Sequence, residues 1–255
     1  MQERRGVCFV AGGASGIGRA AARRWAADGW TVIAADVDEP GLAETAGGRP
    51  GIHTRWLDVT DAEAVAGAVK EVEAQLGPIE RVYNGAAIQP TGLLARQGVE
   101  EIHRVMRVNY GGMVNVSLAT LPRMLARGRG VLVNLASMSG WIPSLYFGAY
   151  DASKFAQVAF TEVLHHENRG SGVQILCVCP GQVETPLRAQ AQPQPKMMRV
   201  GPAPQSPESV VEAVERAIGT RRFLVFAAWH TALAWRLRRF VPGLLWWISH
   251  RVEGI

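Results

Sequence analysis

The chain has little cysteine: Cys8, Cys177 and Cys179 are the only three in 255 residues. Two of them alternate along one apolar run, VQILCVCP. That placement suits reduced core thiols of a cytosolic protein and argues against a disulfide framework. No grouping of His, Cys, Asp and Glu has metal-ligand spacing, so no metal is expected. Long hydrophobic runs are missing too. No stretch approaches the ~18 uninterrupted apolar residues of a spanning helix. The opening MQERRGVCFVAGG has no long apolar core, so no secretory leader is expected. Internal repeats and long low-complexity tracts are absent. Acid is scarce at one end: from Arg221 onward Glu253 stands alone against six arginines. That segment carries all of the +5 formal charge and leaves the first 220 residues balanced. A basic tail without a recognition motif gives no ground for a nucleic-acid partner.

What remains is 48% hydrophobic and 19% charged, the balance of a globular protein with a substantial core. Short apolar runs alternate with longer helical patterns. GVCFVAGG, TVIAADVDE, HTRWLDVT, IERVYNGAA, GVLVNLASMS, VQILCVCPG and RRFLVFA read as seven strands. GIGRAAARRWAADGW, DAEAVAGAVKEVEAQLG, AYDASKFAQVAFTEVLHHENRG and SPESVVEAVERAIG read as helices. The alternation predicts an α/β fold, with a mainly parallel sheet covered by helices on both faces. The Pro- and Gln-rich stretch RAQAQPQPKMMRVGPAPQ, residues 188–205, reads as a mobile loop placed to act as a lid. With Met197 and Met198, it suggests a lipophilic pocket.

The first strand runs straight into Gly12-Gly13-Ala14-Ser15-Gly16-Ile17-Gly18. Glycines there let the backbone approach a diphosphate, and the helix that follows offers free N–H groups. Asp36 closes the second strand eighteen residues beyond Gly18, where an acid can take adenine ribose hydroxyls. An acid at that point repels a 2′-phosphate, so NAD(H) is expected over NADP(H). Asp38 reads instead as the cap of the next helix.

The glycine spacing is G-x-x-x-G-x-G, and with it the chain resembles the short-chain dehydrogenase/reductase family over roughly residues 5–228. Other motifs follow in order. Asp58 in LDV matches the family's acid beside the adenine ring, with Val59 next to it. NGAA, residues 84–87, stands where the family usually has N-N-A-G; Asn84 and Ala86 match, while Gly85 and Ala87 depart. Asn109 in VNYGG matches the family's structural and catalytic asparagine. Pro180, Gly181, Val183 and Thr185 in PGQVETP match the element that faces the nicotinamide. Ser137 lies thirteen residues before Tyr150, and Lys154 four after it, the family's Ser and Y-x-x-x-K spacing. The resemblance implies a single doubly wound Rossmann-type domain over residues 1–228, with a substrate loop at about 186–206. It implies a cofactor site that includes Gly12, Ser15, Gly16, Ile17, Gly18, Tyr150 and Lys154. It also implies that Ser137 polarises a substrate oxygen, that Lys154 binds the nicotinamide ribose, and that Asn109 orders a water relay.

Chemistry supports those roles. A free tyrosine has a pKa near ~10, too high for a base at neutral pH, and a nearby cation lowers it. Lys154 is therefore expected to tune Tyr150. Ser139 ranks second to Ser137, because its spacing to Tyr150 is eleven. Tyr146 lacks the downstream lysine and is expected to line the substrate pocket. His165 and His166 end a helix and are expected to be structural. The expected activity is NAD(H)-dependent interconversion of a secondary alcohol and a ketone, on a lipophilic small molecule, by a homodimer or homotetramer. An NADPH-dependent ketone reductase and a non-catalytic dinucleotide sensor remain the alternatives.

Residues 229–255, WHTALAWRLRRFVPGLLWWISHRVEGI, form a basic and aromatic helical extension. Leu233, Leu237, Phe240 and Val241 fall at helical spacing, Arg236 and Arg239 lie on the other flank, and Pro242-Gly243 interrupts the helix. Two readings stand: the tail roofs the pocket against its own or a partner subunit, or it contacts a membrane surface from the cytoplasm.

Overall fold

A computed structural model of the protein describes residues 5–189, 191, 194–200 and 202–254. The predicted loop 186–206 therefore lies in part outside the described residues. Seven parallel strands form one sheet in the order β3-β2-β1-β4-β5-β6-β7. They are β1 (Val7–Ala11), β2 (Thr31–Asp36), β3 (Ile52–Trp56), β4 (Ile79–Asn84), β5 (Gly130–Leu135), β6 (Val173–Val178) and β7 (Leu224–Val225). β1 is buried at every position, as a strand covered on both faces requires, whereas β3 at the edge exposes His53, Thr54 and Trp56.

Helices cover both faces. On one, α1 (Gly16–Ala27), α2 (Glu39–Ala46) and α9 (Pro207–Ala217) bury Ala21, Trp25, Leu42, Val210 and Val214. On the other, α3 (Ala62–Leu76), α5 (Gly112–Arg127) and α6 (Gly148–Glu167) bury Val65, Val69, Val116, Met124 and Leu164. Each such aliphatic side chain contributes about 1.5–3 kcal/mol on full burial, so these stripes, not helix propensity, hold the layers together. Local signals set the helix starts. Asp38 Oδ1 accepts from Gly41 N at 3.1 Å, Asp61 Oδ1 from Ala64 N at 2.9 Å, and Ser206 Oγ from Ser209 N at 3.2 Å. Asp38 is thus the cap its position suggests.

Residues 88–129, for which the sequence pattern names no element, hold α4 (Val99–Val105), a π-helical turn (Met106–Gly111) and α5. Two short helices, α7 (Pro186–Ala189) and α8 (Met197–Val200), occupy the predicted loop, and residues Val183 and Gln205 pair as an isolated bridge across its base. The tail forms α10 (Trp229–Phe240) and α11 (Pro242–Glu253), broken at Val241 as Pro242 dictates. Among the described residues, no helix is long and apolar enough to cross a membrane.

Strand order reverses between β1 and β4. Gly12 N and Gly13 N both donate to Ala35 O, while Gly85 N donates to Ala11 O, so the turns after β1 and β4 are each tied to the neighbouring strand. A crevice opens at that point, past the carboxyl ends of the strands.

Candidate active site

The crevice is a cleft of about 830 Å³, and at its β1–β2 end it is walled by backbone. Gly12 has φ +80°, and a Cβ there would stand 2.5 Å from Ala86 N. A Cβ on Gly18 would meet Gly12 O at 2.0 Å. The turn therefore packs as only bare backbone can. Ser15 makes no side-chain cap, and the first bond of α1 runs from Arg19 N to Ser15 O at 3.0 Å. The N–H groups ahead of it open onto the cleft from the positive end of the helix. Asp36 locks the turn. Its Oδ2 accepts from Ala14 N at 3.1 Å, and its Oδ1 from Val37 N at 2.8 Å and Asp38 N at 3.2 Å. Asp58, Val59, Ala86, Pro180, Gly181, Val183 and Thr185 also line the cleft. Asp58 Oδ1 holds Thr60 N at 2.9 Å, and Pro180 O takes Met138 N at 2.9 Å, which ties PGQVETP to the turn carrying Ser137. Bare glycines, free helix N–H groups and a fixed carboxylate are a donor and acceptor set that fits a dinucleotide.

At the other end, α6 brings Tyr150 and Lys154 onto one face, one turn apart, and both are buried. The Lys154 ammonium lies 5.4 Å from the Tyr150 ring centre. Its Nζ donates to Leu135 O at 3.0 Å and to Gln157 Oε1 at 2.8 Å. Ser137 extends from the end of β5, its Oγ accepting from Ser139 N at 3.1 Å. Burial pushes the Tyr150 phenol above its ordinary range, opposed by the hydrogen bond with Ser137. Burial brings Lys154 down to about 7, opposed by the neighbouring Cys179 and Cys177. Lys154 is not among the groups that move the Tyr150 phenol here; burial dominates. Burial favours the neutral form of each, and a lysine near 7 carries only part of a charge to stabilise a phenolate.

Two expected site residues stand back from the cleft. Asn84 is built into the sheet: its Nδ2 donates to Asn134 Oδ1 at 2.8 Å and to Ser117 Oγ at 3.2 Å. It does not line the cleft. Asn109 is fully buried in the π-helical turn, where its Oδ1 accepts from Ile88 N at 2.8 Å and its Nδ2 donates to Ser153 Oγ at 2.9 Å. Its carbonyl oxygen, the remaining acceptor, takes Gln157 Nε2 at 2.6 Å. A glutamine side chain thus links the Asn109 backbone to Lys154. Gln157 was missed, although it lies three residues past Lys154 on the same helical face. His165 is structural: its Nδ1 lies 3.3 Å from Ile175 O and its ring packs on Phe223.

The substrate end is lined by Met138, Ser139, Ile142, Ser144, Phe147, Leu187, Met197 and Met198. Tyr146 is not among the lining residues. It has φ +72°, strained for a non-glycine residue, its carbonyl takes Gly92 N at 2.8 Å, and Phe147 lines the cleft instead. Asp151, also missed, anchors this wall. Its Oδ2 accepts from Ser144 N at 2.7 Å, and burial raises its carboxyl to about 7. The tail adds His230, Thr231 and Ala234 from one face of α10. Trp235 packs edge-on to Trp141, with ring centres 5.7 Å apart. The stripe Leu233, Leu237, Phe240 and Val241 points the other way and stays exposed, so only the opposite face of the helix closes over the cleft.

Residues 6–196 match the family model described as short chain dehydrogenase. A relative from Streptomyces exfoliatus, a 1-deoxy-11-beta-hydroxypentalenate dehydrogenase, is 36% identical over 234 residues, 89% of this chain and 84% of that one. A probable oxidoreductase EphD from Mycobacterium tuberculosis is 37% identical over 185 residues, 71% of this chain, and the chain spans only 31% of that protein's length. Among solved structures, a short chain dehydrogenase/reductase from Burkholderia phymatum in complex with NAD superposes with a TM-score of 0.84 at 27% identity, covering 96% of both chains. An actinorhodin polyketide ketoreductase with NADPH gives 0.77 at 29% identity, over 84% of this chain and 90% of that one.

Proposed function

The chain belongs to the short-chain dehydrogenase family, and from that premise we propose that it interconverts a secondary alcohol and a ketone with NAD(H). The observation that carries this reading is the convergence of Ser137, Tyr150 and Lys154 on one cleft whose far end holds the glycine turn and Asp36. A nicotinamide dinucleotide bound there supplies or accepts the hydride. The N–H groups at Ser15 to Gly18 hold its diphosphate, and Asp36 takes the ribose hydroxyls. Tyr150 Oη moves the proton, onto the ketone oxygen in reduction and off the alcohol in oxidation. Ser137 Oγ accepts from Ser139 N and its hydroxyl bonds Tyr150, so a substrate oxygen seated beside Tyr150 would take that hydroxyl proton as its hydrogen bond. Lys154 uses two of its three donors on Leu135 and Gln157, and the third serves the ribose. Asn109 acts through Gln157, as a positioning residue for Lys154.

The Asp36 carboxylate, next to Val37 rather than a basic residue, favours NAD(H) over NADP(H). NADPH-dependent ketone reduction is the second reading, and the likeness to a ketoreductase with NADPH favours it. The apolar wall of Ile142, Phe147, Leu187, Met197 and Met198 supports a lipophilic substrate, as does a relative named for a hydroxypentalenate. Exposed Leu118 on α5, with Phe155 and Val163 on α6, supports a homodimer or homotetramer. In this reading residues 1–228 are one Rossmann-type unit and residues 229–255 an extension, in a cytoplasmic protein that meets a membrane surface. A panel of lipophilic alcohols and ketones, followed by NADH and NADPH absorbance, tests the assignment. Turnover faster with NADH is expected. Faster turnover with NADPH selects the second reading, and no turnover of any compound contradicts both.

A further inference from the structure

α10 is apolar on two opposite faces, and the structure uses only one of them. Thr231 and Ala234 face the cleft, while Trp229, Leu233, Leu237 and Phe240 recur at i, i+4, i+8 and i+11 on the outside. Trp229 and Phe240 are each 77% exposed. Beyond the break, Val241, Leu244 and Trp247 remain exposed as well, and the Arg251 guanidinium lies 5.7 Å from the centre of the Trp247 ring. Folding leaves this apolar surface uncovered, which a soluble protein rarely does without a partner.

Charge selects the partner. Arg236, Arg239 and Arg251 are exposed beside these side chains, and among the described residues none of them forms an ion pair. The tail's only acid, Glu253, is buried. Its Oε1 accepts from Met197 N at 2.7 Å, and its carbonyl oxygen from Lys196 Nζ at 3.1 Å. A two-fold contact between copies would set the same patch against itself, arginine against arginine. An anionic lipid surface meets both features: its headgroups neutralise the arginines, and its acyl boundary takes the aromatic and leucine side chains.

We propose that the outer face of α10 and α11, centred on Phe240, Leu244 and Trp247 and flanked by Arg236, Arg239 and Arg251, docks on an anionic membrane surface. This surface lies outside the catalytic cleft, and docking does not depend on which alcohol or ketone is turned over. The same elements touch the cleft from within. α10 presents His230, Thr231 and Ala234 to it, and Glu253 of α11 pins the start of α8, whose Met197 and Met198 line it. A membrane held on the outer face therefore bears on two parts of the substrate roof.

The test is co-sedimentation of the full chain with vesicles of phosphatidylglycerol and phosphatidylcholine, and with phosphatidylcholine alone, at low and raised salt. NADH binding serves as the control for folding. The protein is expected to pellet with the anionic vesicles at low salt and to be released as salt rises. Arg236→Gln and Arg239→Gln should each weaken partitioning about fivefold. Phe240→Ser with Trp247→Ser should abolish it while NADH binding is kept. A chain that stays in the supernatant, or variants that pellet like wild type, overturn the proposal. So does a Phe240→Ser, Trp247→Ser protein of smaller mass in sedimentation equilibrium with no vesicle binding in wild type, because the face then belongs to a second copy.

Discussion

The two ends of the cleft are built from different materials. The core of the nucleotide end is one continuous stretch, the close of β1 through the start of α1, with Asp36 at the end of β2 and Asp58, Val59 and Ala86 beside it. Its working groups are backbone N–H donors, and Asp36 ties the turn to the end of β2 through Ala14 N. The substrate end is assembled from side chains on separate segments: the turn after Ser137, the walls at Ile142 to Phe147, α7, α8 and α10. Backbone recognition allows no added atom and so stays constant. Side-chain recognition can change residue by residue.

Gly18→Ala should break the first half of this contrast most severely. The new Cβ would lie 2.0 Å from Gly12 O, so the turn must move. A displacement of ~1 Å in a binding geometry can cost about 100-fold, and at least that loss of NADH affinity is expected by fluorescence titration, with circular dichroism to score folding. Wild-type affinity would show that the turn is not the rigid element described.

At the substrate end the matching probe is Asp151. Its folded carboxyl is raised to about 7 from an ordinary 3.8, so the folded state keeps its proton where the unfolded chain has lost it. Stability from this group is complete below ~4 and falls as pH rises towards 7. Lys154, lowered to about 7 from 10.5, acts in the opposite sense, its contribution growing from about 7 towards 10.5. Together they place a shallow stability minimum near neutrality. Asp151→Asn keeps an acceptor for Ser144 N and removes the titration. Its unfolding free energy should gain on wild type as pH rises from 4 to 7, by a few kcal/mol at most. A pH-independent difference would contradict the burial of this carboxyl.

A smaller effect is expected from Asp36→Asn, which preserves the shape and removes the charge. The preference for NADH over NADPH should fall about tenfold in kcat/KM, the scale of relieving one like-charge contact. An unchanged ratio would move the source of selectivity elsewhere in the cleft.

How much of this was legible in the sequence follows the same division. The glycine turn, Asp36 and the Tyr150–Lys154 pair are local patterns, each contained within a strand end or one helical turn, and the structure puts them on one cleft. The strand alternation gave the parallel α/β sheet for the same reason. What escaped depends on contacts distant in sequence. Asn84 and Asn109 matched a motif, but the Asn84 amide nitrogen bonds Asn134 and Ser117, and the Asn109 side chain bonds Ile88 and Ser153, partners that strand register and a π-helical turn bring close. Phe147 replaced Tyr146 in the wall because the backbone turns through positive φ between neighbours that look alike in sequence. The tail showed its two-sided character only when one face closed on the cleft and left Phe240 and Trp247 outside.

The most direct test of the central claim is Tyr150→Phe, which removes one hydroxyl at the meeting point of the two ends. NADH should bind within about twofold of wild type, because the nucleotide end is untouched. Turnover should fall by about 10²–10⁴-fold, the usual contribution of a positioned acid–base group. A folded Tyr150→Phe protein with wild-type turnover would contradict the assignment.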